Sequence, residues 1–164
     1  MKKSSIYALC AIIIIIDQFT KLLITNNMAL MQEIEVIPGF FSLFYIENTG
    51  AAFGMFEGAT LPFILVGVGV FFYIARLIEK NKQISKLTAI AFGLLLGGIV
   101  GNLIDRILYK AVIDFLQFMI GDYRFAVFNI ADIAIVVGTV LLIFELFKEE
   151  IINIKSKRKK KTKK

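Results

Sequence analysis

The chain has 164 residues, of which 58% are hydrophobic and 20% charged, and its mean hydropathy of +0.78 leaves more apolar surface than a water-soluble fold of this length buries. The net charge of +6 belongs to the tail: residues 155–164 hold eight of the 19 basic residues, and without them 11 bases face 13 acids, which favours an anchor beside anionic lipid over nucleic-acid binding. With no histidine and one cysteine, a Ser-His-Asp triad, a Cys-His pair, a zinc-histidine site and a disulfide framework are excluded.

The first predicted element is a span over residues 6–24, about the length that crosses roughly 30 Å of hydrocarbon. Met1-Lys2-Lys3 resembles the start of a signal peptide, but no small-residue cleavage pattern follows, so a retained span is expected. Cys10 is expected to be a small core residue; as a lipid-attachment cysteine it would need a small residue before it, where Leu9 stands. Asp17 and Lys21 stand at i, i+4 with the acid first, the better order for an ion pair. Lys21 could alternatively neutralise a lipid phosphate.

Residues 25–59 contain no Lys or Arg. Pro38-Gly39 separates Ile34-Glu35-Val36-Ile37 from Phe40-Phe41-Ser42-Leu43-Phe44-Tyr45-Ile46, which predicts a small hairpin or sheet with aromatics suited to the bilayer interface. The second span is predicted over 60–78 and the third over 87–104. Gly93, Gly97 and Gly101 recur every four residues, a smooth strip for close helix packing. Asn102, Asp105 and Arg106 follow on one stripe; Arg106 is expected to tie Asp105 or to reach a carboxylate on a neighbouring helix, and a structural network is the leading reading. Asp114 lies in the link after this span, and Asn129 and Asp132 open the fourth span, over 129–147.

Basic residues fix the expected orientation. Lys2 and Lys3, then Arg76, Lys80, Lys82 and Lys86, then Lys148 and the tail fall on one side of a four-span protein. Both termini are therefore expected in the cytoplasm. The intramembrane polar residues then gather toward the outer face, away from the mid-span position that a transporter would need.

Asp114 and Asp132 come from different elements at one depth and lack a local partner. If they meet, they cannot both ionise easily and share a proton, as in an aspartic peptidase. Spacing alone leaves open that they are two unrelated interfacial acids, and a protein whose polar groups merely hold its helices together stays a competing reading.

Five blocks in this order resemble the bacterial lipoprotein signal peptidases, or signal peptidase II: Asp17-Gln18-Phe19-Thr20-Lys21, Glu47-Asn48-Thr49-Gly50-Ala51-Ala52-Phe53-Gly54, Gly98-Ile99-Val100-Gly101-Asn102-Leu103-Ile104-Asp105-Arg106, Val112-Ile113-Asp114-Phe115 and Phe128-Asn129-Ile130-Ala131-Asp132. The resemblance implies a four-transmembrane-helix bundle with a small extracytoplasmic β-cradle, and an aspartic dyad of Asp114 and Asp132. It places Asn48, Asn102, Arg106, Asn129, Asp17 and Lys21 on supporting positions. It implies cleavage of a diacylglyceryl-modified prolipoprotein just before the lipidated cysteine, in the bacterial cell membrane, without metal or cofactor, and inhibition by the cyclic peptide globomycin. Gly50 and Gly54 would let the Phe53-Gly54 loop move to admit the lipid. A monomer is expected.

Overall fold

The computed structural model describes residues 2–50, 58 and 60–161, with side chains up to Lys148. In chain order the elements are α1 (Lys3–Asn27), β1 (Glu33–Ile37), β2 (Phe41–Asn48), α2 (Thr60–Lys80), α3 (Lys86–Tyr109), β3 (Val112–Ile120), β4 (Tyr123–Arg124) and α4 (Ile130–Lys161). All four expected spans are present as helices long and apolar enough to cross a membrane: Lys3–Asn27, Thr60–Lys80, Lys86–Tyr109 and Ile130–Lys148. The first three are a few residues longer than the hydropathy alone marks out, and the fourth matches the expected length. The backbone of α4 continues as helix well beyond residue 147, through a lysine-rich run of good helix formers.

The central helix is α3, with 61% of its apolar stretch buried against 22%, 11% and 22% in α1, α2 and α4. Its glycines explain how two helices approach it so closely. A Cβ at Gly93 would stand 2.9 Å from Leu9, and one at Gly97 would stand 2.6 Å from Ile13. At Gly98 a Cβ would collide with the backbone oxygen of Ala131 in α4. So the expected glycine strip packs α1, and Gly98 on a different face receives α4. Ile6, Cys10, Ile74, Ile78, Phe92 and Leu96 form the apolar core at the end where α1 begins. Cys10 is a buried core residue, as its neighbours suggested.

At the other end lies one antiparallel sheet in the order β1-β2-β3-β4. The Pro38-Gly39 hairpin is present, with Gly39 at φ +66, a value that glycine takes at no steric cost. Val112–Ile120, expected only as a link, is the long third strand. It pairs Ile46 with Asp114 and Asn48 with Val112, and this register sets Asp114 beside the end of β2. Ile24, Met28, Tyr45, Ile113 and Phe115 seal the outer end of α1 to the sheet.

Candidate active site

Asp114 and Asp132 meet at the sheet-bearing end of the bundle through a shared set of asparagines. Asp132 is the third residue of α4, and Asn129 caps that helix. The Asp132 N–H donates to Asn129 Oδ1 at 3.0 Å, and the Asn129 N–H donates back to Asp132 Oδ2 at 3.2 Å. This reciprocal box satisfies two N–H groups that a helix start otherwise leaves without partners. Asn129 Nδ2 then donates to Asp114 Oδ1 at 2.7 Å, so one fully buried asparagine meets both carboxylates, that of Asp114 through its side-chain amide and that of Asp132 through its backbone N–H. Asn48 Nδ2 donates to Asp114 Oδ2 at 2.9 Å, and Asn102 Nδ2 donates to Asp132 Oδ1 at 2.8 Å.

Asn102 is oriented from behind. Its Oδ1 accepts from Lys21 Nζ at 3.0 Å and from Asn129 Nδ2 at 3.1 Å. Two donors on one atom identify it as the oxygen and turn the amide nitrogen toward Asp132. Lys21 is 1% exposed and is held between Asp17, at 2.8 Å, and Asp105, at 2.7 Å. The expected Asp17–Lys21 pair is therefore made. Its burial removes the alternative that Lys21 meets a lipid phosphate.

The expected tie between Asp105 and Arg106 is not made. Adjacent residues on a helix point about 100° apart, so they do not face each other. Asp105 turns inward to Lys21, to Gln18 Nε2 at 2.9 Å and to the Ile113 N–H at 3.2 Å, which fixes the start of β3 next to Asp114. Arg106 lines the same cavity as the two acids; its Nη2 donates to the Gly50 carbonyl at 3.4 Å, and its guanidinium lies 5.1 Å from the Phe63 ring centre. Asp17 reaches α4 as well: its Oδ1 accepts from the Ala131 N–H at 2.9 Å. A further holding residue is Gln18, which bridges Asp17, the Gly101 carbonyl and Asp105. The signal for it was an amide inside a span, one residue from the charged pair. Gly54 and the Phe53-Gly54 hinge expected from the sequence lie outside the described residues.

Both acids line a cavity of about 580 Å³ together with Asn48, Asn102, Arg106 and Phe63. Asp114 is 2% exposed, and its carboxyl is pushed up to about 7, first by burial and then by the negative charge of Asp132. The pair can thus hold one proton near neutral pH, leaving a carboxylate to take a proton from water and a carboxyl to donate to a carbonyl oxygen.

Residues 9–148 match a family profile described as signal peptidase (SPase) II. A lipoprotein signal peptidase of Symbiobacterium thermophilum is 44% identical over 142 residues, covering 84% of this chain and 91% of that protein. One of Listeria monocytogenes is 40% identical over 144 residues, covering 88% and 94%. Among solved structures, a bacterial membrane enzyme determined by the in meso method at 2.3 Å resolution is similar, with a TM-score of 0.83, 32% identity and 90% of each chain covered. A second, at 1.9 Å resolution, has a TM-score of 0.79 and 32% identity, and covers 88% of this chain and 94% of its own.

Proposed function

The chain belongs to the signal peptidase II family, and on that premise we propose that Asp114 and Asp132 are the catalytic pair by which it removes the signal peptide from a lipoprotein precursor, just before the lipidated cysteine. The enzyme is a multi-pass membrane protein and an aspartic endopeptidase. The observation that carries the residue assignment is the Asn129 amide, which holds an acid of β3 against an acid of α4 in one cavity.

Asp132 acts as the base. It accepts hydrogen bonds on both oxygens, from Asn102 and from the start of its own helix, and α4 directs its positive end there. Asp114 acts as the acid, its proton retained by burial. Water gives a proton to Asp132 and adds to the scissile carbonyl carbon, while Asp114 protonates the carbonyl oxygen. The tetrahedral diol then collapses: its hydroxyl proton returns to Asp114, the C–N bond breaks, and Asp132 delivers its proton to the leaving amine. Arg106, beside both acids, steadies the developing negative charge, and Lys21, Asp17 and Gln18 hold the asparagines in register.

The basic loops support an orientation with both termini in the cytoplasm and the sheet outside. Val36, Phe40 and Leu30, exposed near the sheet, suit contact with lipid. One chain supplies both acids and all their holders, which supports a monomer as the working unit. Globomycin-like cyclic peptides would compete for the same cavity.

The test is cleavage of a purified diacylglyceryl-modified precursor. Asp114→Asn and Asp132→Asn should each lower turnover by about 10³-fold or more, while the thermal transition of each variant stays cooperative. Cleavage surviving either change removes the pair assignment.

A further inference from the structure

The cavity that holds the two acids continues along the bundle. α2 and α4 both pack on α3 and make little contact with each other, so a trench runs between them. A groove of about 330 Å³ shares Phe63, Asn102, Arg106 and Ile135 with the cavity and reaches Val70 and Thr139. One turn further on, a third hollow of about 420 Å³ begins with Tyr73 on α2 and Leu142 on α4. It sits by the link between α2 and α3 and is lined with polar groups: Asn81, Gln83, Ser85, Thr88 and Glu145.

Glu145 is the one charged residue among the described residues lining this hollow, and it is 5% exposed. Among the described residues its ionic partner is Lys148, 3.3 Å away with a largely solvent-exposed side chain, so that ammonium can swing out to water. Ser85, whose hydroxyl also caps α3, faces it from the other wall. None of Lys80, Lys82, Lys86 and Lys148 lines the hollow.

We propose that this hollow is a subsite for the basic n-region of the precursor's signal peptide, with the Glu145 carboxylate receiving a lysine or arginine of that segment. The inference rests on the peptidase reading and extends it to the opposite face of the membrane. The dimensions agree. Glu145 stands 13 residues after Asp132 on one helix, about 20 Å along its axis. A signal peptide carries its positive charges on the far side of an apolar stretch of roughly 7–15 residues, about 10–22 Å as a helix. A helix lying in the trench with its scissile end at the acids therefore brings its positive end to Glu145. The trench measures the length of the apolar stretch, and the carboxylate reads the charge beyond it.

The binding is made equally in ground and transition states, so it acts on KM and leaves kcat. The experiment uses the full-length protein in phosphatidylcholine liposomes and two lipidated precursors, one with its native basic n-region and one with those lysines and arginines replaced by glutamine. The unmodified enzyme should show a KM about tenfold higher for the neutral precursor, the scale of one charge-assisted hydrogen bond. Glu145→Gln should show that raised KM for both precursors. Equal KM values for the unmodified enzyme overturn the proposal without reference to any variant's folding. A Glu145→Gln enzyme that still discriminates tenfold overturns it too, since the carboxylate is then structural or idle. So does a KM that ignores precursor charge and changes instead when part of the phosphatidylcholine is replaced by phosphatidylglycerol in a parallel set of liposomes, which would make the occupant a lipid headgroup. If the unmodified enzyme cleaves neither precursor, the peptidase reading itself falls, and this inference with it.

Discussion

Asp114 is subject to opposing influences. Burial and the neighbouring acid raise its pKa, while donors from Asn48 and Asn129 lower it, and the balance stands at about 7. Because this lies above the ordinary 3.8, the folded protein binds more protons than the unfolded chain between those two values. The stability Asp114 contributes is therefore complete below pH 3.8 and is lost as pH rises to about 7. Activity should fall over the same upper limit, because the acid loses its proton: kcat/KM is expected to decline about tenfold per pH unit above pH 7, in a pH–rate profile on a precursor whose own groups do not titrate there. A profile flat to pH 9 would assign the proton elsewhere. Lys21 makes a different prediction. Lys21→Met leaves Asp17 and Asp105 buried without their cation, so unfolding free energy should drop by about 3–5 kcal/mol, with activity lost through Asn102. Lys3→Met, which breaks the exposed pair with Glu79, should leave the thermal unfolding midpoint close to that of the unmodified protein, whereas Lys21→Met should lower it clearly.

At the scale of elements, the spans were legible because lipid demands a long apolar helix whatever the tertiary contacts. The β1–β2 hairpin was legible from Pro38-Gly39. The third strand was not, because Val112–Ile120 is mostly apolar on both faces, a pattern that suits a buried strand, a link or a helix end equally. That gap carried over to the site, since Asp114 could be placed in a link but not in the register that brings it to Asn48. The Asp105–Arg106 tie failed for a related reason: a helix turns adjacent residues to different neighbours, and Lys21 of α1 was the nearer partner. The glycines predict how strictly the helices are docked. Gly97→Ala should destabilise by about 1–3 kcal/mol, because its Cβ meets Ile13 at 2.6 Å and the oxygen of Cys10 at 3.0 Å. Gly69→Ala, with nothing within 4 Å, should stabilise α2 by about 0.5–1 kcal/mol. Thermal unfolding in one detergent compares the two; equal shifts would mean that α1 and α3 adjust without cost.

At the scale of the molecule, the chain divides along the membrane normal. One end carries the sheet and the two acids; the other carries the α2–α3 link and Glu145, with lysines around both. This polarity requires one orientation if the precursor is to be cut outside while its basic end stays inside. The basic residues of the loops point to the same orientation by an independent rule. The protein supplies a clean background for testing it, since its single cysteine is buried. Asp122→Cys, at the exposed turn between β3 and β4, should react with a membrane-impermeant maleimide in intact cells. Lys82→Cys, in the exposed α2–α3 link, should react only after the membrane is opened. The reverse pattern would place the acids on the cytoplasmic side, where a precursor threaded with its basic end inward could not present its scissile bond to them.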